Sequence, residues 1–486
     1  MRKLGPFRGL GRKLEGSKLG VYGMPQSILK GCAEKSTIRV IILAGGKGSR
    51  MSSETPKVLQ KLAGKPILTH VLEKAYLLSD IFPIVVYGED LEQHKKVVGN
   101  KSIKWVYQDK PLGTAHAVEK TIPYIKDTDT VLIMYADIPL VSVNNLKKLI
   151  KKTQDEQFTI LTADINIPEG YGRIIRDKNK IVAIRECVDL KDDQKLIKEC
   201  NTGFMAVNGA VLKNCIPLVK NQNKQKEYYL TDCVSIAIER GIKVSSIKLE
   251  QEDEITGIND MAQLAKAERI YQTQLTDKLM KSGVRIIDPF RVDIRGSLKT
   301  GVGATIDCNV IFEGDVVLGD NVYVGPNSFI SHSYIGDDVQ IKSNCVIVDA
   351  EIGRSCQIGP FARIRPSTIL EDDVAVGNFV EIKGSKIGSN TKANHLSYVG
   401  DANIGSNVNI GAGTITCNYD GVSKHETIIE NDVFIGSNSE LIAPVKINSG
   451  STVAAGSTIT KDVASESLAI SRSEQKQIAR WRRPKK

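Results

Sequence analysis

The sequence predicts a two-part chain: an α/β domain with a Rossmann-like, mostly parallel sheet, followed by a parallel β-solenoid. Three observations lead there. Between residues 38 and 257, apolar runs alternate with helical patterns, which describes a sheet covered on both faces. Beyond Val284, aliphatic residues recur every five or six positions through about 140 residues, the mark of stacked short strands. And 486 residues exceed one ordinary core at roughly 100 to 200 residues per domain.

Composition narrows the classes. With 41% hydrophobic and 25% charged residues, the chain is not disordered throughout. Its longest apolar runs, such as 40–44 and 130–136, fall far short of the roughly 20 residues that cross a bilayer, so no membrane insertion is expected. Of the net charge of +10, residues 1–37 carry eight Lys/Arg against Glu15 and Glu34, and residues 472–486 carry seven against Glu474. What lies between is slightly acidic, which describes no basic groove, and no nucleic-acid partner is expected. Nine dispersed cysteines without a C-x-x-C pair read as free thiols of a reducing, cytoplasmic setting. Residues 1–37 lack an apolar signal stretch and read as a disordered basic leader, with a start at Met24 or a transit peptide as alternatives.

The α/β domain is expected over 38–259, with strands at 38–44, 82–87 and 130–136 and helices at 66–79, 91–98 and 144–152. Unbroken helical patterning from Asp260 makes 260–284 a connecting helix. The solenoid domain, 285–486, is counted from Leu318, Val324 and Ile330. It continues at 335, 341, 347; 352, 358, 364; 370, 376, 382; 387, 393, 399; and 404, 410. The count resumes at 429, 435, 441 and 447, 453, 459 after a polar loop, 417–427, that projects from one coil. Loops inserted in solenoids commonly carry function.

Directly after the first strand stands L-A-G-G-K-G-S-R-M at 43–51, with Pro56 and Lys57 following. Glycines 45, 46 and 48 let backbone amides approach a phosphate chain, and Lys47, Arg50 and Lys57 supply counter-charge, so a polyphosphate site is expected. This pattern resembles the sugar-nucleotide pyrophosphorylases. Further motifs occur in that family's order: Q-D-K-P-L-G-T-A at 108–115, Y-A-D-I-P-L at 135–140, E-G-Y-G-R at 169–173, Glu186, N-T-G at 201, Y-Y-L-T-D at 228 and G-I-N-D at 257. The resemblance implies UTP binding at Leu43, Ala44, Gly45, Gly46, Lys57, Gln108, Gly113, Thr114 and Tyr135, and sugar phosphate binding at Gly172, Glu186 and Asn201. Asp137 ends a buried strand, where α/β sheets place ligands. With Asn259 it would hold Mg²⁺ against the triphosphate. In-line attack by the sugar phosphate needs no covalent nucleophile, so Mg²⁺, Arg50 and Lys57 would carry the rate by positioning and charge. Ala136 departs from the Gly-Asp usual in that family, which puts the local backbone geometry in question.

The solenoid carries its own polar set. Arg365 and Lys383 lie one coil apart and should stack at about 4.8 Å, gripping an anion such as a sugar phosphate. His395 is placed to take a proton from an attacking amine, and Asn418 to donate to a developing oxyanion. With G-A-G-T-I-T-C-N-Y-D-G at 411–421 and A-I-S-R…W-R-R-P at 469–484, the chain resembles the bacterial bifunctional N-acetylglucosamine-1-phosphate uridyltransferase and glucosamine-1-phosphate N-acetyltransferase family. That resemblance covers residues 38–486. It implies a left-handed β-helix of hexapeptide repeats, a homotrimer, Tyr398 and Asn409 at the amino sugar, and Asn418, Tyr419, Ser437, Ala455 and Arg472 at acetyl-CoA. The expected reactions are acetyl transfer to glucosamine 1-phosphate, then uridylyl transfer from UTP. The alternatives are a nucleotidyltransferase for another sugar or base, and a non-catalytic pyrophosphorylase-like subunit.

Overall fold

Alternate residues of strand β1 (Ile38–Leu43) enter two separate cores, Val40 and Ile42 one, Ile41 and Leu43 the other. A strand buried on both faces has to lie inside a covered sheet. The computed structural model describes residues 37–46, 51, 53, 55–99 and 101–484. The leader before Thr37, and Lys47, Gly48 and Arg50 of the glycine-rich motif, lie outside the described residues. Thr37–Lys486 form one compact unit.

After β1 the chain runs through β2 (Lys61–Leu62), β3 (Lys65–Pro66), α1 (Ile67–Leu78), β4 (Ile84–Tyr87), α2 (Leu91–Val98), β5 (Lys104–Tyr107), α3 (Thr114–Glu119) and β6 (Thr130–Tyr135). It continues with α4 (Val143–Glu156), β7 (Phe158–Asp164), β8 (Arg173–Asp177), β9 (Lys180–Arg185), β10 (Glu199–Asn208), α5 (Gly209–Cys215), α6 (Asp232–Glu239), β11 (Val244–Leu249) and α7 (Met261–Lys281). The sheet order is β11-β7-β10-β6-β1-β4-β5, with the β8–β9 hairpin attached to β10. Pairing is parallel at β1–β4, β1–β6, β4–β5 and β7–β11, and antiparallel where β10 meets β6 and β7. Leu43 pairs with Tyr135 at the carboxyl ends of β1 and β6, so the glycine-rich segment and Asp137 leave the sheet side by side.

The solenoid closes on an aliphatic core. Every position of the hexapeptide count, from Leu318 to Ile459, is buried in one cluster. Val324 pairs with Ile341, Ile341 with Ile358, and Ile358 with Val376, in parallel and in register. The turns between faces use residues of positive φ, chiefly Asn and Asp, such as Asn327, Asn344, Asp373 and Asn407, whose short polar side chains tolerate that region. Two features escape the count. Thr416 fills the inward position between Ile410 and the loop, its hydroxyl paired with Gly400 N and O at 2.7 and 3.0 Å. The coils also begin earlier, with Arg285–Ile286 and the long strands Val292–Thr300 and Val310–Leu318.

Helix α7 joins the two parts through buried polar contacts. Asp260 caps it by accepting from Gln263 N at 2.8 Å. Gln272, 1% exposed, accepts from Ile294 N at 2.8 Å and donates to Ile294 O at 2.9 Å. One turn earlier Glu268 accepts from Gln272 Nε2 and from Ala63 N at 2.8 and 2.7 Å. At the β2–β3 turn Gly64 has φ +80, and a methyl there would stand 2.6 Å from Arg295 O. Only glycine lets the two backbones meet so closely. Gln272→Leu keeps the bulk but strands both Ile294 polar groups. We expect a loss of about 2–4 kcal/mol in urea unfolding of the full chain; a loss below about 0.5 kcal/mol would contradict the clamp.

Candidate active sites

Leu43, Ala44, Gly45, Gly46, Lys57, Gln108, Gly113, Thr114, Tyr135 and Asp137 line one cavity of about 270 Å³, at the carboxyl ends of the parallel strands. The backbone brings them there. Ala44 N donates to Val86 O at 2.8 Å and Gln108 N to Tyr87 O at 2.8 Å, extending the β1–β4–β5 ladder past the strand ends. Gly113, φ +120, precedes α3, and a methyl there would collide with Tyr228 O at 2.5 Å. The same Tyr228 O accepts from Ala115 N at 2.9 Å, and Thr114 Oγ1 accepts from Leu230 N at 2.9 Å. Glu227 also lines the cavity. It was not singled out in the sequence, although it adjoins the Y-Y-L-T-D motif.

At the cavity floor Lys57 Nζ lies 2.6 Å from Asp137 Oδ2 and 3.1 Å from Asn259 Oδ1. The three are 80 and 202 residues apart and meet because Ile258 N donates to Asp137 O at 2.9 Å. A hard carboxylate oxygen and an amide oxygen thus converge on a single cation-sized point. Such a pair fits magnesium, provided triphosphate oxygens and water complete the shell. Among the described residues no three His, Cys, Asp or Glu side chains gather as a metal cluster, so these side chains alone would leave a magnesium shell incomplete. Ala136, fully buried, is not among the residues of positive φ. Alanine therefore causes no backbone strain before Asp137.

Gly172, Glu186 and Asn201 form a second group beside this cavity. Asn201 N donates to Gly172 O at 2.8 Å, and Glu186 Oε2 stands 3.4 Å from where a Gly172 side chain would begin. Burial pushes the Glu186 carboxyl above the usual carboxylate range, against the hydrogen bond it accepts from Thr231 Oγ1 at 2.9 Å. The two groups meet at Tyr135, whose phenol is pushed up by burial first and then by Glu186 and Asp137.

In the solenoid, Ile364 pairs with Ile382, which sets Arg365 directly against Lys383 on the next coil, and Arg365 N donates to Ile382 O at 2.8 Å. The expected anion slot is more structured than two bare cations. Arg365 Nη1 donates to Glu381 Oε1 at 2.8 Å, and Lys383 Nζ stands 3.8 Å from Asp401 Oδ2. Lys424 reaches in from the loop, and the Lys383 ammonium holds it below the usual lysine range. Tyr398 pairs with Glu381 one coil on, so it shares this face. His395 lies just across the corner at Leu396 (φ 49), with Nδ1 2.8 Å from Asn378 Oδ1. A carbonyl oxygen only accepts, so Nδ1 carries the proton and Nε2 keeps its lone pair.

Asn418 is 7% exposed and donates from Nδ2 to Asp401 Oδ2 at 2.5 Å, which engages one of the two N–H groups of that amide. The loop beyond it is closed by an antiparallel bridge of Tyr419 and Lys424. Asp420 accepts from Val422 N, Ser423 N and His425 Nε2 at 2.6–2.8 Å. These donors, Ser423 N foremost, hold its carboxyl well below the usual range. Asn409 pairs with Lys392, on the face of His395 and not that of Tyr398. Ser437, Ala455 and Arg472 stack further along: Gly456 N donates to Ser437 O at 2.8 Å and Arg472 Nη1 to Ala455 O at 2.5 Å. Asn378, Glu381 and Asp401 went unnoticed in the sequence. Coil arithmetic could have found them, each being 17 or 18 residues from a residue already chosen.

Three family models match the chain: the MobA-like NTP transferase domain over residues 40–194, the GMPPB C-terminal domain over 294–399, and the bacterial transferase hexapeptide over 426–461. A crystal structure of UDP-glucose pyrophosphorylase complexed with UDP-glucose is 15% identical and aligns with a TM-score of 0.41, covering 49% of this chain and 99% of that one. The bifunctional protein GlmU of Nitrosospira multiformis is 48% identical over 453 residues, 93% of this chain and 98% of its own length. With that identity over nearly the whole of both chains, this chain belongs to the GlmU family of bifunctional proteins.

Proposed function

We propose that each reaction of the bifunctional enzyme belongs to one part of the chain: uridylyl transfer to residues 38–259 and acetyl transfer to residues 285–486, joined by the helix at 260–284. As a member of its family the chain is a uridyltransferase and an acetyltransferase. The observation that carries the assignment is the convergence of Lys57, Asp137 and Asn259 beneath the glycine-lined cavity.

In the solenoid site, Arg365, Lys383 and Lys424 take the phosphate of glucosamine 1-phosphate, Tyr398 holds its ring from the same face, and Asn409 reaches it from the adjoining face that carries His395. His395 Nε2 removes the amine proton as nitrogen attacks the thioester carbonyl of acetyl-CoA, the C–S bond breaks, and the departing CoA thiolate takes that proton back from the imidazolium. The free N–H of Asn418 meets the oxygen that becomes negative. Tyr419, Ser437, Ala455 and Arg472 hold acetyl-CoA. In the α/β site, Gln108, Gly113 and Thr114 hold the uracil. Gly172, Glu186 and Asn201 orient N-acetylglucosamine 1-phosphate so that its phosphate oxygen faces the α-phosphorus, and pyrophosphate leaves. Magnesium at Asp137 and Asn259 would neutralise triphosphate charge, with Lys57 and Arg50 adding theirs. A cytoplasmic setting agrees with eight free cysteines among the described residues and with no described helix long and apolar enough to cross a membrane.

Assembly as a trimer through the solenoid is part of this reading. Phe361 and Phe379 stack at 5.2 Å on adjacent coils, 48% and 56% exposed, and Leu396 beside His395 is 62% exposed. A neighbouring solenoid would cover them and complete the site at its edge.

Asp137→Asn is expected to lower uridylyl transfer at least about a hundredfold and to spare acetyl transfer. His395→Ala should do the reverse. A coupled assay from glucosamine 1-phosphate, acetyl-CoA and UTP, with each step also measured alone, tests both; either variant retaining its own step would remove the assignment. Asn378→Ala should lower acetyl-transfer kcat about tenfold with little change in KM, whereas Asn378→Asp, which keeps an acceptor, should stay near the parent. Phe361→Ser with Phe379→Ser should sediment as a smaller species and lose acetyl transfer but not uridylyl transfer. Unchanged mass with full activity would mean that this corner faces solvent.

A further inference from the structure

Gln108 is 7% exposed and lines the glycine-rich cavity with its carboxamide held from behind. Nε2 donates to Gly113 O at 3.1 Å and stands 3.2 Å from His116 Nδ1. Because a backbone carbonyl only accepts, the Gly113 contact fixes which end of the amide is nitrogen. With that nitrogen a donor, His116 Nδ1 has to be the acceptor and carry its proton on Nε2. Both N–H groups of Gln108 are then used inside the protein. Oε1 is left, lying over Gly45 so closely that a methyl there would be 2.9 Å away. Gly45 and Gly46 line the same cavity, so at this point the cavity presents an acceptor.

We propose that His116 is a positioning residue that sets base specificity: by accepting the second N–H of Gln108, it keeps Oε1 turned toward the base and so selects a pyrimidine bearing N3–H. This rests on reading the cavity as the UTP site. Uracil has a donor at N3, whereas cytosine has a lone pair there, and an amide oxygen against that lone pair makes no bond. A buried acceptor left unpaired in this way is how a site rejects the wrong ligand. Without the His116 acceptor the carboxamide is held by one bond, and its terminal torsion, with two broad minima, can offer the NH₂ end to cytosine instead. Thymine shares the N3–H of uracil, so the device does not act against dTTP.

The test uses the full chain with saturating N-acetylglucosamine 1-phosphate and magnesium. Values of kcat and KM are measured for UTP and CTP on the parent, His116→Leu, His116→Asn and Gln108→Leu. The ratio of the two kcat/KM values on one sample is independent of the folded fraction, so partial misfolding of a variant does not obscure it. His116→Leu should raise the KM for UTP about fivefold, leave kcat within about twofold and narrow the UTP-to-CTP ratio about tenfold. His116→Asn, whose Oδ1 sits where Nδ1 does, should restore the ratio. A ratio unmoved by His116→Leu but collapsed by Gln108→Leu would overturn the role of His116 alone. His116→Asn as damaging as His116→Leu would overturn it too, since only ring packing would then matter. If Gln108→Leu leaves the KM for UTP unchanged, the UTP-site reading itself fails.

Discussion

A coil that must close in 17 or 18 residues governs the second half of this protein. Because its strands stack in parallel and in register, the neighbour of each residue on the next coil is fixed by chain arithmetic. Arg363 is set against Glu381 and Arg365 against Lys383 whatever their side chains prefer. Like charges so forced together need an answer, and Glu381 and Asp401 provide it within the chain. The result is a ladder of paired charges beside which the Lys383 ammonium holds Lys424 below the usual lysine range.

The same arithmetic makes one corner of the solenoid informative. Going up the column, its positive-φ residues are Asn309, Asn327 and Asn344, then Phe361, Phe379 and Leu396, then Gly413 and Asn438. Asparagine, and glycine still more readily, visits this conformation at little cost, whereas a large side chain there is a genuine outlier. The three outliers occupy consecutive coils and flank His395. Strain of this kind is retained where the surroundings hold it in place, and here the two phenylalanine rings stack on each other while about half of each remains exposed. The backbone thus marks the corner beside His395, the imidazole that the proposed acetyl transfer uses.

Much of this was legible in the sequence because the inward positions of a hexapeptide coil are aliphatic and evenly spaced. Where that broke, the count failed for identifiable reasons. Thr416 is inward but polar, and the strands Val292–Thr300 and Val310–Leu318 run past the point where a corner would reset the period. Single residues at the ends of buried strands, such as Asp137, were readable from position, and most of the lining of the α/β cavity from motif. Partners were not. Asn378, Glu381 and Asp401 are ordinary polar residues until the register sets them beside His395, Arg365 and Lys383. His116 sits inside an apolar helical pattern, and only folding turns Nδ1 toward Gln108.

Lys57 occupies the point at which Asp137 and Asn259 converge, and that has a consequence for how the α/β site takes up its substrate. An ammonium between two oxygens keeps a partly buried carboxylate satisfied, since stripping such a group of its partner is costly. Under the proposed function Asp137 and Asn259 would hold the magnesium ion that neutralises triphosphate charge, and Lys57, which lines the same cavity, would add its own charge. A lysine pointing into the cavity without touching Asp137 would leave the carboxylate unpaired. Held on Asp137 at the cavity wall, one side chain is both the partner of that carboxylate and a positive charge within the cavity lining.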